Sequence, residues 1–358
     1  MNNDFEVSVE QEIAQITMER PHVVILGAGA SRAAFPNGER NGKRLPVMRD
    51  FTDIVPVGGL LRRAGFQVNS DNFEETYAAI AADPAKEALR YKLDETIYGY
   101  FNSLELPPYA TLYDLLLLSL RPKDVVATFN WDPFLIQAAC RNHVLRGRLP
   151  RILFLHGNVL AGYCARDSVH GVKGARCPEC GQPFQPSRLL YPITQKDYHV
   201  DPMIADAWNY LDLALKEAFM LTVFGYSAPS SDKSAIDLMS GAWGGWERRQ
   251  FEQVEIIDIR EEDELVDSWN AFIHTHHYEV HDSFSDSWLA KHPRRSGEAY
   301  WNQHLEAKFI DDNPIPDIKS LPSLWEWFKP LLLVEEKHVQ GDSMRGLDQG
   351  NVKVTLKN

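Results

Sequence analysis

Short runs of consecutive apolar, often β-branched residues recur along this chain. They are His22–Leu26 (HVVIL), Asp124–Thr128 (DVVAT), Arg151–Leu155 (RILFL), Phe219–Phe224 (FMLTVF) and Val254–Ile259 (VEIIDI). Such a run, closed by turn residues, predicts a strand buried on both faces. Helical spacing fills the intervals: Val9, Ile13 and Ile16 within residues 1–20, much of 70–120, Asp132–His143 and 201–217. A helix opening near Glu261 and a strand at Tyr278–Val280 complete the pattern. Alternation of this kind predicts an α/β fold, a Rossmann-like parallel sheet with helices on both faces.

Three segments depart from the alternation. Residues 36–46 (PNGERNGKRLP) read as a loop. Residues 157–195, rich in Gly, Pro and Cys, read as a small inserted module. Residues 282–335, carrying Trp288, Trp301, Trp325 and Trp327, read as packed helices, and the chain beyond about 336 reads as a polar, flexible tail. The predicted organisation is therefore a nucleotide-binding domain over 1–280, with a helical insertion at about 52–120 and a cysteine-bearing one at about 157–195. A Trp-rich helical extension over 281–335 and the tail 336–358 follow.

Composition narrows the function. The net charge of −13 over 358 residues lacks the basic face that displaces counterions from nucleic acid, so no direct sequence-specific nucleic-acid binding is expected. The runs LYDLLLLSL and AFMLTVF are too short to span a bilayer, and MNNDFEVSVEQ is no signal peptide, so a cytoplasmic location is expected. Four cysteines do not make a disulfide scaffold. Cys164, Cys177 and Cys180 instead carry a Cys-x-x-Cys-Gly knuckle typical of zinc ribbons, with His170 or Asp167 as the fourth ligand. An insertion that kept its shape after losing the metal is the competing reading.

Polar motifs stand directly after the predicted strands, where open parallel sheets bind ligands. Gly27, Ala28, Gly29 and Ser31 (GAGAS) follow the first; two glycines allow close approach of a pyrophosphate, although Arg32 replaces the third glycine of the dinucleotide fingerprint. Asn130 and Asp132 (TFNWD) follow the second, as catalytic groups or helix caps. His156 (LHGN) follows the third, as a general base or a structural histidine. Gly225, Tyr226 and Ser227 follow the fourth, as ribose and phosphate contacts or a plain turn; Asp258 ends the fifth, as a ribose acceptor or an ion-pair partner.

Taken in order, GAGAS, TFNWD, LHGN, a cysteine insertion, FGYS and VEIIDI resemble the motif series of the sirtuin family over roughly residues 20–275. The resemblance implies that NAD⁺ is a substrate held by Gly27, Ala28, Gly29, Ser31, Gly225, Tyr226, Ser227 and Asp258. It implies that Asn130, Asp132 and His156 form the reaction centre. Two segments differ. Leu45–Phe51 replaces the Gly-Ile-Pro-Asp-Phe-Arg segment of deacylases, and Leu189-Leu190-Tyr191-Pro192-Ile193-Thr194 replaces their acyl-lysine stretch. The chain is more similar to bacterial antiphage-defence sirtuin-like domains. That implies an NAD⁺ hydrolase giving nicotinamide and ADP-ribose, acting as an abortive-infection effector, as a homo-oligomer or with a HerA-type hexameric ATPase. A deacylase or ADP-ribosyltransferase, and a non-catalytic NAD⁺ or ADP-ribose sensor, are the rival expectations. The N-terminal helix and the Trp-rich region are candidate partner surfaces, or ordinary core.

Overall fold

The computed structural model describes residues 5–68, 73–145, 147–192, 198–199, 201–228, 232–273 and 277–348. Its strands are β1 (Glu6–Val7), β2 (His22–Leu26), β3 (Val125–Thr128), β4 (Arg151–Phe154), β5 (Ala161–Cys164), β6 (Val169–Val172), β7 (Gln185–Pro186), β8 (Met220–Phe224), β9 (Gln253–Ile257), β10 (Tyr278–His281) and β11 (Phe309–Ile310). Six of them form one sheet in the order β10-β9-β8-β2-β3-β4, and every pairing is parallel. Each predicted strand is found, His22–Leu26 with the expected bounds and the others displaced by one or two residues at one or both ends.

Alternate residues of the strands feed two separate cores, as the two-residue period of a strand requires. Val24, Leu26, Val126, Phe224 and Ile257 pack beneath the helical insertion, whose helices are Phe73–Ala82, Glu87–Asn102 and Leu112–Leu118. Val23, Ile25, Val125, Leu221, Val223, Val254 and Ile256 pack beneath Pro202–Glu217, Lys233–Trp243 and Glu262–Trp269. Helix Pro202–Glu217 starts where Pro at its first position and Asp201 act together: Asp201 Oδ1 accepts the Met203 and Ile204 N–H groups at 2.9 and 3.3 Å.

Register sets the site. Leu26 pairs with both Thr128 and Phe224, Thr128 with Phe154, and Phe224 with Ile257. The five strands therefore end level, and the residues that follow form one row. The chain runs from β2 out to β3 and β4, then returns across β2 to β8. The reversal lies between β2 and β8, where open α/β sheets leave their ligand crevice.

The terminal regions differ from expectation. Residues 5–20 hold β1 and the helix Val9–Ala14, with no helix after it; β1 pairs with β11 in a separate two-stranded sheet. The last helix runs Leu321–Asp348, past the boundary expected near 335. It is anchored by charge. Glu335 takes Arg294 Nη2 at 2.6 Å and Arg295 Nη1 at 2.8 Å, and both arginines are buried. Arg294 also donates to the Leu118 and Leu120 carbonyls, which ties the helix to the end of the insertion. Trp288 belongs to a buried cluster with Phe219 and Tyr300, so it is core, whereas Trp301 is largely exposed.

Removing one partner of a buried ion pair strands the other, at a cost of about 3–5 kcal/mol. Glu335→Ala is expected to lower unfolding free energy by that amount in denaturant titration. Glu336→Ala, which breaks an exposed contact with Arg148, is expected to cost less than about 1 kcal/mol. Equal effects would refute the anchor.

Candidate active site

The row at the carboxyl ends of the strands reads Asp258, Gly225, Gly27, Phe129 and Leu155 across β9, β8, β2, β3 and β4. At its centre two turns meet backbone to backbone. Gly29 N–H donates to Gly225 O at 2.9 Å, and Gly27 N–H to Phe224 O at 3.0 Å. Gly225 has φ +62°, and a Cβ there would lie 2.2 Å from Ala30 N. Glycine is required by both conformation and space. The glycines of GAGAS thus join two strand ends, and the Gly27, Gly29 and Ala30 N–H groups already have protein acceptors.

Against this junction sits a closed polar cluster. Asn130 Nδ2 donates to Gly27 O at 2.8 Å and to Ser31 Oγ at 3.0 Å. Gly27 O can only accept, so the carboxamide has one orientation, with its nitrogen toward Gly27. Ser31 Oγ donates to Asp132 Oδ2 at 2.6 Å and meets the Tyr113 hydroxyl at 2.6 Å. Its one proton goes to Asp132, so Tyr113 donates to it. Asn130 N–H is held by Thr128 Oγ1 at 3.0 Å. Asn130 is 8% exposed, Asp132 4% and Ser31 3%. Burial raises the Asp132 carboxyl to about 6, against lowering by Ser31 and the Phe134 N–H. Burial likewise raises Tyr113 well above the usual phenol range.

His156 reaches the cluster through aromatic packing. Phe129 lies flat on Tyr226, 4.1 Å between centroids at 4°, and meets the His156 ring edge-on at 4.8 Å. Tyr198 stacks on the other side of His156 at 6.1 Å. Gly157, at φ +76°, would place a Cβ 1.8 Å from Arg188 O, so the turn after His156 admits only glycine. Asn158 is structural: its Nδ2 donates to Asp132 O at 2.5 Å, tying the LHGN turn to TFNWD.

The structure therefore brings Gly27, Gly29, Ser31, Asn130, Asp132, His156, Gly225 and Tyr226 to one place. Ala28 and Ser227 are exposed beside it. Asp258 stands in the same row, but its carboxylate is engaged by Arg260 Nη2 at 3.2 Å. Arg32, in the third glycine's place, grips the Leu45–Phe51 segment through Leu45 O and Asp50. Sequence reading missed Tyr113, Thr128 and the Phe129–Tyr226 stack. Tyr113 sits in an apolar helical run and gave no signal; an aromatic beside a strand-end polar motif was the signal for Phe129.

The cysteine module is a three-stranded antiparallel sheet, ordered β6-β5-β7. Cys164, Asp167, Cys177 and Cys180 converge there, with ligand atoms within 4.8 Å of one another. Asp167 Oδ2 lies 3.3 Å from the Cys164 and Cys177 sulfurs, and the Cys164 and Cys180 sulfurs are 3.6 Å apart. Thiolates sharing a tetrahedral zinc lie about 3.8 Å apart, so the donor set fits that ion. His170 is not in it. Cys164 pairs with Val169 across the ladder, which turns His170 to the opposite face, 3.4 Å from Asp206. Of the two candidates for the fourth ligand, Asp167 converges with the cysteines and His170 does not.

No family profile and no curated protein matches the chain. Among solved structures it is similar to a Sir2 homologue–NAD complex at 13% identity, with 84% of this chain, 93% of that one and a TM-score of 0.36. A Sir2 structure concerned with mechanism and regulation has 13% identity, coverage of 81% and 96%, and a TM-score of 0.38. Sir2 bound to acetylated peptide has 16% identity, coverage of 80% and 93%, and a TM-score of 0.34. Likeness at this level carries no argument about activity, which must come from the site itself. Among the described residues no helix is long and apolar enough to cross a membrane.

Two outcomes follow. An acid raised on folding loses stability as pH climbs from its unfolded value, about 4, to its folded one, and bears the full cost above that. Asp132→Asn removes the charge and is expected to gain on the parent chain between pH 4.5 and 7.5, by on the order of 3 kcal/mol at most. A pH-independent difference in denaturant unfolding would contradict the buried charge. For the module, metal analysis is expected to find one zinc equivalent that depends on the cysteines: it is lost in Cys177→Ser and retained in His170→Ala.

Proposed function

We propose that the chain binds NAD⁺ across the carboxyl ends of β2, β3, β4 and β8 and hydrolyses its nicotinamide–ribose bond. One observation carries the reading. An oriented Asn130, hydrogen-bonded to Gly27 and to a Ser31 that Asp132 holds, shares the sheet's crevice with His156, and Phe129 packs against both the His156 ring and Tyr226. The motif order supplies the substrate class; the geometry supplies roles.

Nicotinamide leaves as a neutral molecule with the electron pair of the broken bond, so no general acid is needed. The ribose carbon becomes oxocarbenium-like and takes an oxygen from water. Asn130, its amide nitrogen spent on Gly27 O and Ser31 Oγ, has Oδ1 to orient that water or a ribose hydroxyl. Ser31, Asp132 and Thr128 hold Asn130 in place, and this positioning lowers the entropic cost of attack. His156 accepts the water proton and passes it to solvent. Products are nicotinamide, ADP-ribose and a proton.

Water is favoured over an acyl-lysine as the nucleophile. Tyr191, in the segment that differs from deacylases, is packed among Tyr77 and Trp131 at 5.5 Å each, with its hydroxyl on Asp94 O. That packing commits Tyr191 to the protein's own core, in the segment whose deacylase counterpart is the acyl-lysine stretch; Ile193 and Thr194 lie outside the described residues. Burial of Asn130, Asp132 and His156 supports an effector that is closed until triggered. Its role in antiphage defence, as a homo-oligomer in the cytoplasm or with a HerA-type ATPase, rests on the sequence resemblance.

The test is release of nicotinamide from NAD⁺ by the full chain, alone and with its co-encoded partner. Asn130→Ala and His156→Ala are each expected to lower the rate at least about 100-fold. Unchanged release in both variants, or release only with an acylated peptide, would overturn the reading.

A further inference from the structure

A second cluster of metal-ligating side chains lies outside the candidate active site, on the sheet face covered by the C-terminal segment. Glu255 on β9 and Glu279 on β10 are cross-strand partners, and His281 follows two residues on, so all three point to one face. Their ligand atoms lie within 4.8 Å of one another. Like charges placed directly opposite on neighbouring strands repel, and Glu255 is fully buried. The pair needs a cation.

His281 as an imidazolium is one answer. Burial alone would lower its pKa, yet the two carboxylates outweigh burial and lift it to about 9. The geometry is poor for that role. Nε2 lies 3.3 Å from Glu255 Oε1 and 3.3 Å from Glu279 Oε2, well beyond a charge-assisted hydrogen bond, and it is aligned as a hydrogen bond to neither. Equal separations of this size are instead those of ligand atoms around a shared ion, about 3.3–3.5 Å for bonds of 2.0–2.1 Å in a tetrahedron.

The carboxylates are also held as metal ligands are held. Glu255 Oε2 accepts the Thr222 hydroxyl at 2.8 Å and Oε1 the Trp288 N–H at 2.8 Å. Glu279 Oε2 accepts Trp288 Nε1–H at 2.9 Å. One tryptophan thus orients both, as outer-shell partners do. His304 Nε2 stands 4.0 Å from the other Glu279 oxygen, Oε1, outside the converging set. His281 and Glu279 are part-exposed, while Nε2 itself is buried.

We propose that Glu255, Glu279 and His281 bind a divalent zinc-sized ion, with the fourth position open to water. The ion cross-links the edge strand β10 to β9, beside Trp288. It is separate from the cysteine module and from the NAD⁺ reading.

The experiment is zinc titration of the chelator-treated full chain, followed by metal content after desalting and by thermal unfolding. Two equivalents per chain are expected. Cys177→Ser keeps one; Glu279→Gln and His281→Asn each lose the other while circular dichroism shows them folded. Uptake by the unaltered chain of no more than the cysteine-dependent equivalent would overturn the proposal, and this outcome does not depend on any variant folding. So would full uptake by both Glu279→Gln and His281→Asn.

Discussion

Everything at the candidate active site depends on the contact between Gly225 and the Gly27–Ala30 turn. Two strand ends from opposite sides of the chain reversal approach until one backbone lies against the other, with no room for a Cβ at either turn. That contact places Gly27 O where it can take the Asn130 amide. It also brings Tyr226 beneath Phe129, which in turn supports His156. A larger residue at Gly225 would separate the strand ends and dissolve the cluster above them. The glycines serve the protein's own assembly first, and their N–H groups are largely committed to it.

The cluster has a thermodynamic consequence. A carboxylate at Asp132, a serine and a carboxamide are packed into a space with almost no water, where an unsatisfied polar group is costly. The chain satisfies them with one another: Ser31 uses its single proton and accepts from two donors. Such a network is rigid, which suits positioning of a reacting water. It is also closed, with Asn130, Asp132 and Ser31 all buried. Glu335 with Arg294 and Arg295, and Glu298 with Arg121, apply similar pairing at the base of the molecule to fasten both termini to the sheet.

The sheet was legible because parallel strands are buried on both faces and stand out as unbroken apolar runs. Asn130, Asp132 and His156 were legible because each follows such a run, and level strand ends in a parallel sheet bring such positions together. What sequence could not supply was register and facing. His170 is close to the cysteines along the chain, yet the antiparallel ladder turns it away while Asp167 turns in. Asp258 ends its strand at the right level, yet Arg260 two residues on engages it. Tyr113 belongs to a helix whose pattern announces only core. The last helix is pinned at Glu335 by Arg294 and Arg295, some forty positions earlier in the chain, a contact that a polar tail does not announce.

The central claim is that this closed cluster at the chain reversal is a dinucleotide site. A crystal structure of the His156→Ala chain grown with NAD⁺ tests it most directly, because the variant keeps the glycine junction and Asn130 while slowing turnover. Density for the dinucleotide is expected across the ends of β2, β3 and β8, with a ribose hydroxyl or water on Asn130 Oδ1. Density at any other place on the chain, or a crevice unchanged at saturating NAD⁺, would contradict it.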